Sequence, residues 1–135
     1  LNSQKLRELS SDESSIQHGE TSINSLIENH PENKKLGDLI FGDNALGSLL
    51  SKNGFPTVPS FIDRAPKSYE PFFSGGTNTK NYGSKNQNGV DAIQLELNRN
   101  GIRQNSEDRE RFSKIFAKIS IEYMKSNYSD VFPFN

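Results

Sequence analysis

The chain has no cysteine among its 135 residues, so neither a disulfide nor a thiolate zinc site can form, and its redox compartment leaves no mark on it. It has one methionine, Met124, and begins at Leu1, from which we expect a piece of a longer translation product. Histidine is scarce: His18 and His30 stand twelve positions apart, which fits no compact zinc motif, and neither has a second ligand nearby in helical register. Neither is therefore expected to hold a metal. Charge of one sign does not dominate, since 16 Lys plus Arg against 17 Asp plus Glu leave a net charge of −1. That balance argues against nucleic acid or an anionic membrane as partner. There is no hydrophobic run near the roughly 20 residues of a membrane span, and no signal-peptide pattern, so the chain reads as soluble. Apolar residues are also few: with glycine counted in and tyrosine out they make up about 36%, against a usual figure of about 45–50%.

What is present has a clear order along the chain. Leu1 to Ser15 is polar with scattered leucines and reads as a surface segment. Ile16, Ile23, Leu26 and Ile27 recur at near-helical spacing, which predicts a short helix ending before His30-Pro31. Asp43 or Asn44 can cap a second helix whose Ala45, Leu46, Leu49 and Leu50 make one apolar stripe, with Gly54 as its left-handed stop. From Phe55 to Gly89 four prolines, then Gly75-Gly76 and Gly83, break the texture into a long loop, a kind of segment usually functional or wrapped on a partner. Asn105 or Ser106 caps the longest helix, which reaches about Asn127 and carries Phe112, Ile115, Phe116, Ile119 and Tyr123 on one face. The triplet Asn127-Tyr128-Ser129 is the one glycosylation sequon, a signal that means little without evidence of secretion.

Between loop and long helix, Val90 to Leu97 alternates as a strand does, bounded by Asn88-Gly89 and Asn100-Gly101. Ile93, Leu95 and Leu97 then share one face, and Ala92, Gln94 and Glu96 the other. Ligands bind outside the carboxyl ends of strands in open α/β sheets, and Glu96 stands one residue before that end. An ordinary half-exposed strand would show the same alternation. A second, shorter strand is expected around Glu70 to Ser74. Two strands do not make a buried sheet, so the rest is expected from a missing N-terminal segment or a partner chain. The fold class expected is α/β, and the chain is not expected to fold alone.

Three ordered stretches, "LIFGDNALGSLLSKNGFPTVPS", "PFFSGGTNTKNYGS" and "VDAIQLELNRNGIR", resemble the C-terminal portion of the N-formylglutamate amidohydrolase-like family, over roughly Ser14 to Tyr128. The resemblance implies that residues 1–135 are the C-terminal part of a single domain with a doubly wound, mostly parallel or mixed sheet and flanking helices, similar to zinc carboxypeptidases. It implies zinc held by the N-terminal chain of the same precursor, with no metal ligand here. The Gly-Gly motif falls on Gly75 and Gly76, followed by Asn78 and Thr79, and the Gln-x-Glu motif on Gln94 and Glu96. Thr77 stands where the family has an aromatic, and Asn81 replaces one residue of its basic pair. By similarity Glu96 is the general base on zinc-bound water, the glycines, Asn78, Thr79 and Gln94 contact substrate, and Arg99 and Arg103 can pair a substrate carboxylate bidentately.

These residue types suit hydrolysis of an amide or peptide-like bond in a small substrate. Zinc lowers the pKa of its water and polarises the carbonyl, and a carboxylate carries the proton to the leaving amine. Gly75 and Gly76 let backbone approach a ligand, although a Gly-Gly pair serves a tight turn equally well. The alternative is a binding or structural protein that kept the fold without the activity, for which Thr77 and Asn81 are mild support.

Overall fold

The computed structural model describes residues 1–12, 19–29, 35–86 and 89–128. Among the described residues six α-helices span Ser3–Ser11 (α1), Asn24–Asn29 (α2), Leu36–Phe41 (α3), Leu46–Lys52 (α4), Thr77–Tyr82 (α5) and Ser106–Tyr128 (α6), with a short 3-10 turn at Ser84–Asn86 and a wide turn at Arg99–Arg103. His18, His30 and the expected helix start at Ile16 lie outside the described residues.

Several elements follow from local signals. The Asn105 side chain accepts the Asp108 N–H at 2.8 Å and caps α6, which buries Phe112, Ile119 and Tyr123 at helical spacing. Helix α4 ends where Gly54 turns left-handed, φ +84°, and the Phe55 N–H returns to the Leu50 carbonyl at 3.0 Å. Its start differs from expectation, because Ala45 occupies the cap position and neither Asp43 nor Asn44 caps it. The described part of the first segment, residues 1–12, is also not a mere surface stretch. Asn2 caps α1 by accepting the Lys5 N–H at 2.8 Å, and Leu6 and Leu9 are fully buried one turn apart.

Two apolar clusters form the core. One joins α1, α2 and α3 through Leu6, Leu9, Ile23, Leu26, Leu39 and Phe41, and the other joins α4 and α6 through Leu49, Leu50, Phe55, Phe112, Ile119 and Tyr123. Tyr128 packs against both. Phe55 meets Phe112 edge-on with ring centroids 5.1 Å apart, the arrangement that aromatic quadrupoles favour. Helices α3 and α4 are tied by Ser48, whose hydroxyl donates to the Phe41 carbonyl at 3.2 Å and accepts the Phe61 N–H at 3.0 Å.

The expected sheet is overturned. Among the described residues there is no strand, at Val90–Leu97 or at Glu70–Ser74, and the fold is helical, so the doubly wound α/β class does not hold. The reason is pairing. The Ala92 N–H donates to the Ser22 carbonyl at 2.9 Å, and among the described residues no ladder of such bonds runs along Ala92–Leu97. Alternation selects a face, but a strand also needs a neighbour for its N–H and C=O groups. The supposed core face is accordingly split: Ile93 is 46% exposed, while Leu95 and Leu97 are half-buried. The long loop is likewise interrupted by α5 and the 3-10 turn.

What fixes this segment is Asp91. Its carboxylate accepts from the Ser25 N–H at 3.1 Å, from the Ser84 hydroxyl, and from the Tyr128 hydroxyl at 3.0 Å. The Ser22 hydroxyl adds a bond to the Ala92 carbonyl at 2.6 Å. One half-buried acid thereby joins α2, the 3-10 turn and the end of α6. The Asn127 side chain is also committed: it is buried and donates to the Asn44 and Tyr123 carbonyls, which leaves no room for a glycan on that nitrogen.

Removing the acid should expose its importance. Asp91→Ala takes the carboxylate from the Ser84 and Tyr128 hydroxyls, while the Ser25 N–H keeps the Ser84 oxygen at 3.0 Å; at about 1–3 kcal/mol for each buried donor left short, it should cost about 2–4 kcal/mol in urea unfolding. Asp91→Asn, which keeps one acceptor oxygen, should cost less. An Asp91→Ala midpoint equal to wild type would contradict this role.

Alkaline pH gives a second prediction. Burial pushes the Tyr123 hydroxyl up to about 12 from its ordinary 10.0, with Asp91 adding and a hydrogen bond with Tyr128 opposing. Tyr128 is also pushed up, first by burial and then by Tyr123 and Asp91. The folded chain holds these protons more tightly than the unfolded one. Stability is therefore level below pH 10 and falls as pH rises through 12, with roughly 2–3 kcal/mol lost from Tyr123 alone. Tyr123→Phe should flatten the decline measured by urea unfolding between those pH values, and an equally steep decline would refute the assignment.

Candidate functional site

Pinning Asp91 and Ala92 sets where the following residues lie, and the next polar side chains meet the glycine turn. The Gly76 N–H donates to Gln94 Oε1, and Gln94 Nε2 donates to Glu96 Oε1 at 2.6 Å. Thr79 Oγ1 donates to the Gly76 carbonyl at 3.0 Å, and the Lys80 N–H to the same carbonyl at 3.1 Å. Both glycines have a physical reason. Gly75 sits at φ +94°, and a Cβ there would run into Thr79 Oγ1. A Cβ on Gly76 would lie 2.7 Å from Gln94 Oε1 and push that amide away.

Gly75, Gly76, Thr79, Gln94 and Glu96 thus come together although the two motifs are 18 residues apart. Their details differ from expectation. The Gly76 N–H is taken by Gln94, so it is not available to a ligand in this arrangement. Glu96 is exposed, and with the sheet gone it has no strand end to mark. Its second oxygen and the second N–H of Gln94 set an acceptor beside a donor, the complement of an amide. Asn78 is exposed on α5. Arg99 and Arg103 are exposed on the wide turn, and neither guanidinium bonds to Gln94 or Glu96; the Arg103 carbonyl accepts from Arg109 at 3.2 Å.

The glycine turn borders a cavity of about 190 Å³, above the roughly 150 Å³ that accepts benzene in an apolar core. Leu39, Leu50, Phe72, Phe73, Ile93 and Tyr123 give it apolar walls, and Ser22, Gly75, Thr79 and Gln94 are among the residues that supply polar groups. An apolar cleft with a few convergent polar groups is the usual form of a small-molecule site. The metal question has a plain answer for this part of the chain: among the described residues no three His, Cys, Asp or Glu side chains could together hold a metal.

Asp91 belongs to neither the Gly-Gly nor the Gln-x-Glu motif. Its signal was an acid at the head of an apolar stretch, but the donors that hold it are scattered through the chain. No helix among the described residues is long and apolar enough to cross a membrane. Compared with family models, curated proteins and solved structures, the chain matches none.

Proposed function

We propose that this chain binds a small amide- or peptide-like molecule, with an apolar group in the cavity and an amide at the Gln94–Glu96 pair. The observation that carries this reading is the chain of hydrogen bonds from Gly76 through Gln94 to Glu96, whose middle member, Gln94, is also part of the cavity wall. A free donor on Gln94 and a free acceptor on Glu96 match the C=O and N–H of one amide. The cavity supplies the apolar burial that makes such a contact stable, at about 25 cal/mol per Å² removed from water.

A second reading is favoured by one feature, the position of the Glu96 carboxylate beside that amide. In it the same residues belong to an amidohydrolase, and Glu96 accepts the proton of an attacking water. Zinc does not fit the residues described here, so it would have to come from the N-terminal chain of the same precursor, and no step is derived through it. In that reading residues 1–135 are the C-terminal part of one amidohydrolase-like domain.

Titration calorimetry with N-hexanoylglycinamide, a neutral molecule with an apolar tail and amides, tests the binding reading on the chain with any chain that accompanies it. Binding is expected, and Gln94→Ala should weaken it about tenfold, the loss of one buried hydrogen bond at about 1.4 kcal/mol. No heat of binding, or full affinity in Gln94→Ala, would overturn it. Glu96→Gln separates the two readings: hydrolysis of the same compound, if it occurs, should fall by at least about a hundredfold.

A further inference from the structure

Four arginines gather at the wide turn, and none of them lines the cavity. Arg99 and Arg103 stand on the turn itself, and two side chains reach back to it from α6. Arg109 donates to the Arg103 carbonyl at 3.2 Å, and Arg111 donates to the Gly101 carbonyl at 2.9 Å. Gly101 makes the bend, at φ +74°. Arg111 also lies over the Phe55 ring, 4.8 Å from its centroid, so its guanidinium is ordered twice. All four arginines are exposed. The acids nearest in the chain are Glu96, Glu107, Asp108 and Glu110. Glu110 pairs with Lys114 at 2.6 Å, and among the described residues none of the four acids pairs with an arginine of this cluster.

We propose that this turn docks an acidic segment of a partner protein, whose carboxylates, spaced along an extended chain, pair with the guanidinium forks one by one. This surface is separate from the cavity and does not depend on the amide-binding reading above. Arginine pairs a carboxylate through two parallel N–H···O bonds, a geometry that lysine cannot reproduce. One backbone bond each leaves Arg109 and Arg111 with N–H donors to spare. Because those two side chains are already held, less freedom is lost when a partner arrives. Their anchors are the carbonyls of two different residues, so the forks stand at separate points, and a string of carboxylates meets more of them than one small anion can. A nucleic acid fits less well: its phosphates form an unbroken line of charge, which Glu107 and Asp108, set between the arginines in the chain, oppose. Neutral residues between the carboxylates of a peptide avoid that repulsion.

Fluorescence anisotropy tests the proposal on the chain with any chain that accompanies it, using a fluorescein-labelled decapeptide of alternating Glu and Gly. The acidic peptide should bind at low salt and weaken as NaCl rises from about 0.05 to about 0.5 M, and the matching peptide of alternating Gln and Gly should not bind. An Arg99→Gln, Arg103→Gln double variant should weaken binding about two- to thirtyfold, the range for two exposed ion pairs, with circular dichroism confirming an unchanged fold. A Lys5→Gln, Lys67→Gln variant, which removes the same charge from the part of the chain around the first apolar cluster, should bind as the wild type does. No binding of the acidic peptide, or equal binding of the neutral one, overturns the docking surface. Full affinity in the arginine variant, or an equal loss in the lysine variant, overturns its assignment to the turn. Tighter binding of a labelled ten-nucleotide oligothymidylate in the same buffer overturns the choice of a peptide as occupant.

Discussion

A single carboxylate, that of Asp91, joins three parts of the chain that are far apart in sequence. Its three donors come from the start of α2, from Ser84 and from the end of α6. Ser84 also accepts the Ser25 N–H at 3.0 Å, so the two groups share one donor and close a small network. A carboxylate taken from water is costly unless its lone pairs are met, and here each oxygen has a donor. The apolar clusters then pack on either side of Tyr128, the residue that touches both cores and donates to the acid.

The site depends on this network. Because Asp91 and Ala92 are pinned to α2, the residues after them cross in front of the glycine turn, and Gln94 reaches the Gly76 N–H. Ile93 and Leu95 turn toward the apolar cavity, while Glu96 is left at the exposed edge. The absence of side chains on Gly75 and Gly76 is part of the same arrangement, since a Cβ on either would displace Thr79 or Gln94. Polar contacts in the site therefore rest on backbone geometry set some residues away.

Local signals made some of this legible in the sequence. Helix α6 could be read from its cap at Asn105 and its stripe of Phe112, Ile119 and Tyr123, and the end of α4 from Gly54, because each depends on neighbours within a turn or two. The supposed strand at Val90–Leu97 failed for a non-local reason. Its alternation is real, but nothing in the sequence states whether another strand exists to pair with it. Leu6 and Leu9 looked like scattered leucines because the helices that bury them lie elsewhere in the chain. Glu96 stands out in the sequence as an acid near the end of an alternating stretch, whereas the acid that joins distant parts of the chain is Asp91, five positions earlier. Its donors are 66, 7 and 37 residues away, so no local pattern could reveal them.

The central claim is that Asp91 positions the Gly76–Gln94 contact beside the cavity. Proton NMR reads this directly through the nuclear Overhauser effect between the Gly76 amide proton and the Gln94 side-chain protons. The account predicts a strong cross-peak in the wild type that is lost or much weakened in Asp91→Ala, while cross-peaks between Phe55 and Phe112 persist. No cross-peak in the wild type, or one that is unchanged in Asp91→Ala, would contradict it.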